Sequence, residues 1–159
     1  MTIRDARPAD AAAIRRIVDA AFGQPTEGKL VDELRRSGAA VIELVHEGGE
    51  GLDGHILLSR IQSPERCLAL APLSVAPAQQ KSGIGAALMR EAIRRSQGWT
   101  AIFLVGEPAY YSRFGFSLAA AAKFDTVYPK DYMMARALDE TAFLSLESRI
   151  EYPQAFDGL

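Results

Sequence analysis

The sequence has little cysteine and little histidine, and these two shortages exclude several kinds of site. Cys67 is the one cysteine among 159 residues, and the chain contains two histidines. A single cysteine excludes an internal disulfide and any metal site that requires several thiolates. Because no Cys-His pairing is visible, we expect Cys67 to be a small buried side chain rather than a nucleophile.

The chain also lacks a strong excess of one charge and lacks long apolar runs. Its 18 Lys and Arg residues against 20 Asp and Glu residues give a formal net charge of −2, so no basic field is available to attract nucleic acid or an anionic membrane. No stretch of 18 consecutive apolar residues occurs, and residues 1–7 contain no run typical of a signal peptide. We therefore expect a cytoplasmic protein that binds neither nucleic acid nor a membrane.

What is present is the composition of an ordinary globular protein. Hydrophobic residues make up 48% of the chain and charged residues 24%, which is typical of a folded domain. A length of 159 residues falls within the usual size of one domain, roughly 100–200 residues. We expect a single domain spanning residues 1–159.

The first third of the chain has helical periodicity after a short strand. A strand is expected at Ile3 to Ala6, followed by a helix over about residues 10–22 in which Asp10 is positioned to cap the first turn. A shorter amphipathic helix then contains Leu30 and Leu34 and is closed by Gly38.

Five apolar runs in the remainder have the character of strands. They lie at Val41–Val45, His55–Ile61, Cys67–Val75, Ala101–Val105 and Met133–Leu138. The four glycines of Glu47 to Gly54 predict a hairpin loop between the first two runs, with both histidines beside it at the surface. Helical patterns after Pro77 and near Ala109 complete the order β-α-α-β-β-β-α-β-α-β, an α+β domain with helices packed on a sheet.

Pro72 interrupts the strongly apolar run Cys67–Val75 and predicts an irregular edge. Proline cannot donate to a sheet ladder, so the backbone of Leu73, Ser74 and Val75 is expected to be unpaired on one side. An extended ligand that carries amides, such as pantetheine, could complete that edge as an added strand.

A glycine-containing loop, Gln80 to Gly85, directly follows this strand and opens a helix. Free N–H groups and the positive end of a helix dipole meet there, and this arrangement binds phosphate without basic side chains. Gly83 and Gly85 allow a pyrophosphate to approach the main chain, while Lys81 and Ser82 add a charge and a hydroxyl. A lone Gly-x-Gly more often only starts a helix, and a dinucleotide fingerprint fits poorly because Leu88 stands where a third glycine would be expected.

Two motifs resemble those of the GCN5-related N-acetyltransferase (GNAT) family. The segment Val75 to Leu88 is similar to the family's pyrophosphate motif, with Gln80, Gly83 and Gly85 at its three fixed positions. The segment Tyr110-Tyr111-Ser112-Arg113-Phe114-Gly115-Phe116 resembles a later motif, a Tyr four residues before Gly-Phe. The opening of the chain and the element order are similar as well, so the resemblance spans nearly the whole sequence.

The resemblance implies a GNAT-like fold, a mixed and mostly antiparallel sheet with helices on both faces and a splayed central pair of strands. It implies acetyl-CoA as co-substrate and direct transfer of the acetyl group to an amine. The residues implied for the pantetheine arm are Leu73, Ser74 and Val75, and those implied for the pyrophosphate are Gln80, Lys81, Ser82, Gly83, Ile84, Gly85 and Ala86.

By the same resemblance, Val75 N–H polarises the thioester carbonyl and Tyr111 protonates the departing thiolate. No general base is identified, and Glu27, Glu33 and Glu107 stay open as candidates. A competing hypothesis is a protein of the same fold that binds acyl-CoA as a sensor or partner without catalysis.

The sequence does not identify the acceptor, which we expect to be a small-molecule or peptide amine. The C-terminal stretch, Glu147 to Leu159, is expected to pack over the sheet or, alternatively, to form the edge of a homodimer.

Overall fold

One six-stranded sheet with helices on both faces organises the chain, as a computed structural model describes it for residues 2–158. The strands are β1 (Thr2–Asp5), β2 (Ala40–Gly48), β3 (Gly51–Arg60), β4 (Cys67–Val75), β5 (Ala101–Val105) and β6 (Met133–Ala137). The helices are α1 (Ala11–Phe22), α2 (Thr26–Arg36), α3 (Ile84–Arg95), α4 (Pro108–Tyr111), α5 (Leu118–Ala121) and α6 (Glu140–Leu144). Short 3-10 turns lie at Pro8–Asp10, Pro77–Gln79, Ser112–Phe114 and Gln154–Gly158.

Each strand pairs with its neighbour in sequence, in the order β1-β2-β3-β4-β5-β6. All pairs are antiparallel except β4 and β5, which run parallel. The parallel pair is joined only through Cys67–Ala69 on β4 and Ala101–Phe103 on β5, and beyond these residues the two strands separate. The expected α+β fold with a splayed central pair of strands is confirmed.

The two faces of the sheet carry separate cores. Ile14 and Val18 of α1 and Leu30 of α2 pack on the first face, whereas Leu88 and Met89 of α3 pack on the second. This division follows from the period of two along each strand, which sends neighbouring side chains to opposite faces. Cys67 is buried in the first core, as expected, and burial raises the pKa of its thiol to about 12.

Two local predictions about the first half of the chain are wrong. The glycine-rich segment is not an eight-residue loop, because β2 and β3 continue to Gly48 and Gly51 and pair with each other there. Asp10 makes no side-chain cap on α1. Its carboxylate instead accepts hydrogen bonds from the Arg4 guanidinium at 2.8 and 3.0 Å and from Arg7 N–H at 2.7 Å. The bonds from Arg4 are the main reason that the Asp10 pKa falls to about 2.

The prediction that both histidines lie at the surface is also wrong. His46 Nδ1 lies 2.5 Å from Asp53 Oδ1, and His55 Nε2 lies 2.8 Å from Glu43 Oε2. Both rings are buried, which their carboxylate partners make tolerable, because a buried polar ring needs a hydrogen-bond partner. Burial alone would raise the Glu43 pKa, but hydrogen bonds with His55 and Arg35 outweigh it and lower the pKa.

Two kinds of feature are missing from the residues that the structure describes. None of their helices combines the length and the apolar character needed to cross a bilayer. Across residues 2–158, no three His, Cys, Asp or Glu side chains are grouped so that they could hold a metal ion.

Candidate active site

The separation of β4 from β5 leaves one edge of β4 open. Leu73, Ser74 and Val75 pair only with β3, opposite Ile56, His55 and Gly54. Ala76 N–H donates to Asp53 O at 2.8 Å, and successive N–H groups of an extended strand point to opposite edges. Val75 N–H therefore points towards the open side. The predicted unpaired edge after Pro72 is confirmed.

The loop between β4 and α3 presents a row of free backbone donors. Lys81 and Gly83 have left-handed backbone conformations, with φ of 65° and 92°, which turn successive N–H groups to one side as in an anion-binding nest. Across the described residues 2–158, the backbone N–H groups of Lys81 to Ala86 have no main-chain acceptor. The loop is tied back to the strand by Gln80, whose Nε2 donates to Val75 O at 3.1 Å.

A groove of about 490 Å³ runs between this loop and the open edge of β4. We call it the outer groove; it also receives Tyr110 and Arg113 from the segment after β5. Arg113 is exposed and its guanidinium lies 5.0 Å from the centre of the Tyr110 ring. With Lys81 it gives the groove a positive rim, which favours an anionic ligand.

A second cavity of about 300 Å³ begins where β4 and β5 separate. We call it the inner chamber, and Leu73 and Phe22 line both it and the outer groove. The two spaces are therefore consecutive. Its lining comes from distant parts of the chain and consists of Phe22, Glu27, Leu30, Ala69, Leu70, Ala71, Pro72, Leu73, Phe103, Leu104, Val105, Tyr111, Tyr128, Tyr152 and Phe156.

The adjacent residues Tyr110 and Tyr111 line different cavities. Tyr110 lines the outer groove and Tyr111 the inner chamber, with their rings perpendicular and 4.9 Å apart. Burial, and secondarily the neighbouring Tyr110, raises the Tyr111 pKa to about 12. The phenol therefore keeps its proton at neutral pH, the form in which it can donate one.

Gly106 makes room for the Tyr111 ring. A Cβ at this position would lie 2.3 Å from Tyr111 Cε2 and 2.8 Å from its Cδ2, closer than non-bonded carbon atoms approach. The ring can occupy its place only because residue 106 has no side chain.

Gly106→Ala is therefore expected to destabilise the fold by about 1–3 kcal/mol, the usual cost of overpacking. Urea unfolding followed by circular dichroism measures the change. Gly49→Ala is the matched control, since a Cβ there meets no atom within 4 Å and its φ is not positive. Equal stability of the two variants would mean that the Tyr111 ring can shift away from the added methyl group at no cost.

Most of the residues predicted for the site line the outer groove. Those that do are Leu73, Val75, Gln80, Lys81, Gly83, Ile84, Gly85 and Ala86. The side chains of Ser74 and Ser82 do not. Ser74 is buried opposite His55 and its hydroxyl has no partner among the described residues. The Ser82 hydroxyl donates to Gln79 O and faces a neighbouring surface pocket.

Among the carboxylates left open as bases, only Glu27 reaches the inner chamber. Glu33 pairs with Arg36 on the surface of α2, and Glu107 is exposed after β5.

The aromatic lining of the inner chamber was not predicted from the sequence. This applies above all to Tyr128, which belongs to an irregular segment without periodicity.

Comparisons with known proteins point in one direction. The family described as Acetyltransferase (GNAT) matches residues 12–116. The uncharacterized N-acetyltransferase YhbS of Escherichia coli K12 is 30% identical, with 99% of each chain covered.

Two solved structures are similar over nearly the whole chain. The Escherichia coli YhbS structure in complex with CoA has a TM-score of 0.91 at 29% identity, covering 98% of this chain and 91% of that one. A GNAT acetyltransferase from Brucella melitensis in complex with acetyl-CoA has a TM-score of 0.82 at 33% identity, covering 98% and 97%.

Proposed function

The chain belongs to the GNAT acetyltransferase family, and on this basis we propose that it transfers an acetyl group from acetyl-CoA directly to an acceptor amine. The observation that carries the proposal is the continuous path from the free N–H groups of Lys81–Ala86, along the open edge of β4, to Tyr111. Its chemistry suits a ligand with a pyrophosphate at one end and a thioester at the other.

The outer groove is assigned to the anionic part and the arm of the co-substrate. The N–H groups of Lys81–Ala86, with the dipole of α3 behind them, bind the pyrophosphate. Leu73 offers its unpaired backbone groups to the amides of pantetheine, in the manner of an added strand, and the Val75 side chain lines the same groove. Lys81 and Arg113 supply positive charge to the phosphates.

The reacting thioester is assigned to the place where β4 and β5 separate. The amine nitrogen attacks the carbonyl carbon, the C–S bond breaks, and the thiolate takes a proton from the Tyr111 phenol. Val75 N–H points to that side and stabilises the carbonyl oxygen as negative charge develops on it. The proton lost by the nitrogen passes to water, and Tyr111 is reprotonated from solvent.

Acetyl-CoA at 100 times its Kd is expected to stabilise the fold by about 2.7 kcal/mol. In a domain of this size, that corresponds to a rise in Tm of about 5–10 °C. Differential scanning fluorimetry measures it, with ADP as the control ligand because it offers a pyrophosphate without the pantetheine arm. If neither CoA nor acetyl-CoA raises Tm, the outer groove is not a CoA site.

Three further proposals concern the protein as a whole. The domain spans residues 1–159, the protein acts in the cytoplasm, and two copies pair into a homodimer. Cell fractionation tests the location and light scattering tests the dimer, with a mass equal to one chain as the outcome that contradicts it.

A further inference from the structure

The inner chamber has walls and charge that select among amines. We infer that the acceptor is a small primary amine with an apolar or aromatic body and no carboxylate; it binds with its ammonium group at Glu27 and loses one proton to water before the nitrogen attacks. This inference rests on the proposed function, because the chamber lies beyond the end of the outer groove at Leu73.

Aromatic rings form much of the wall of the inner chamber. Tyr128 and Tyr152 pack edge to face at 5.2 Å, and Tyr152 and Phe156 follow at 5.5 Å. Tyr111 and Phe103 contribute further rings to the lining. Such walls remove apolar surface from water, and their faces also attract an ammonium group. The chamber is therefore suited to an aromatic or branched apolar body that carries a cation.

The electrostatics of the chamber favour a single positive charge. Glu27 is its one acidic lining residue, and none of its described lining residues is Lys, Arg or His. Tyr111 and Tyr152 stay neutral, because burial raises the pKa of each to about 12. A carboxylate on the acceptor would be repelled by Glu27, and the extra ammonium groups of a polyamine would be buried without partners.

The size and the mouth of the chamber point to a small acceptor with an apolar end. Its volume of about 300 Å³ lies at the lower end of the range for ligand pockets, roughly 300–1,000 Å³. Phe22 and Val105, which line the chamber, are 42% and 43% exposed. Exposed apolar side chains at the rim are expected where an apolar ligand enters.

Two substitutions test the charge of the chamber. Glu27→Gln keeps the shape and the contact with Gln24 but removes the negative charge. Val105→Lys adds a positive charge at an exposed position of the lining. Leu144→Lys is the matched control, because Leu144 is 73% exposed and lines neither the outer groove nor the inner chamber.

The measurement is CoA thiol release at saturating acetyl-CoA, with phenethylamine, ethylamine, phenylalanine and spermidine as acceptors. We expect kcat/KM for phenethylamine to exceed that for each of the other three by about tenfold or more, through burial of the phenyl group and the absence of a second charge. Glu27→Gln and Val105→Lys are each expected to lower kcat/KM for phenethylamine about tenfold, mainly through KM. Val105→Lys also reduces the ratio of kcat/KM for phenethylamine to that for phenylalanine. Leu144→Lys changes neither kcat/KM for phenethylamine nor this ratio.

The outcomes separate this inference from the proposed function. Turnover that favours spermidine, phenylalanine or ethylamine overturns the inference and leaves the acetyltransferase assignment intact. Unchanged KM in Glu27→Gln also overturns it. Loss of CoA binding in the unaltered protein, read from the Tm shift, contradicts the proposed function instead.

Discussion

Tyr111→Phe is expected to lower kcat by about 10²–10⁴-fold, the usual contribution of a positioned general acid. The phenol lines the inner chamber and keeps its proton, whereas phenylalanine has none to give to the departing thiolate. Stopped-flow or steady-state CoA release measures kcat, and calorimetric titration checks that the Kd for CoA stays within about twofold, because the outer groove is unaltered.

Tyr110→Phe is the matched control for this experiment. Tyr110 is adjacent, also partly buried, and lines the outer groove rather than the chamber, so its hydroxyl should have little effect on kcat. If the larger loss occurs in Tyr110→Phe, the general acid is Tyr110 and the assignment of Tyr111 is contradicted.

The raised pKa of Tyr111 also fixes the sign of the pH dependence. A general acid is active in its protonated form, and a pKa of about 12 keeps that form dominant up to strongly alkaline pH. The pH profile of kcat should therefore show no descending limb from this residue between about pH 7 and pH 10.

Gly85→Val is expected to weaken CoA binding by about 100-fold or more, equivalent to ~2.7 kcal/mol. A Cβ at Gly85 would lie 3.1 Å from Tyr110 Oη and 3.6 Å from Val75 Cγ2. It therefore points into the outer groove between α3 and β4, and the two methyl groups of valine would fill the space assigned to the co-substrate. Calorimetric titration with CoA measures the loss.

Ala87→Val is the matched control for Gly85→Val. Ala87 lies on the same helix and lines a neighbouring surface pocket rather than the groove, so valine there adds the same side chain to α3 without blocking the site. Circular dichroism confirms that both variants fold. Binding of CoA to Gly85→Val as tight as to the unaltered chain would mean that the ligand lies elsewhere.

Elements set by local pattern were predictable from the sequence. The bounds of β4, Cys67–Val75, and of β5, Ala101–Val105, agree with prediction, because both are buried apolar runs bounded by residues that break strands. The outer groove was predictable as well, because its main lining residues, Leu73 to Gly85, are contiguous in the chain.

Features that depend on partners from other strands were not predictable. His55 can be buried because Glu43 of β2 offers it a hydrogen-bond partner at 2.8 Å, and the sequence of one strand does not reveal that partner. The glycines of the β2–β3 hairpin pair through their backbone, which requires no side-chain pattern. The inner chamber combines α1, α2, Tyr128 and Phe156, which only the folded chain brings together.

The short contact between β4 and β5 also has a consequence for how the molecule unfolds. Three residue pairs hold these strands together, so the sheet is least cohesive between the part ending at Val75 and the part beginning at Ala101. Regions with few cross-strand bonds open at lower free energy than the rest of a domain. The proposed co-substrate would contact both β4 and Tyr111, and we therefore expect the ligand-free protein to open between these two parts more often than the ligand-bound protein.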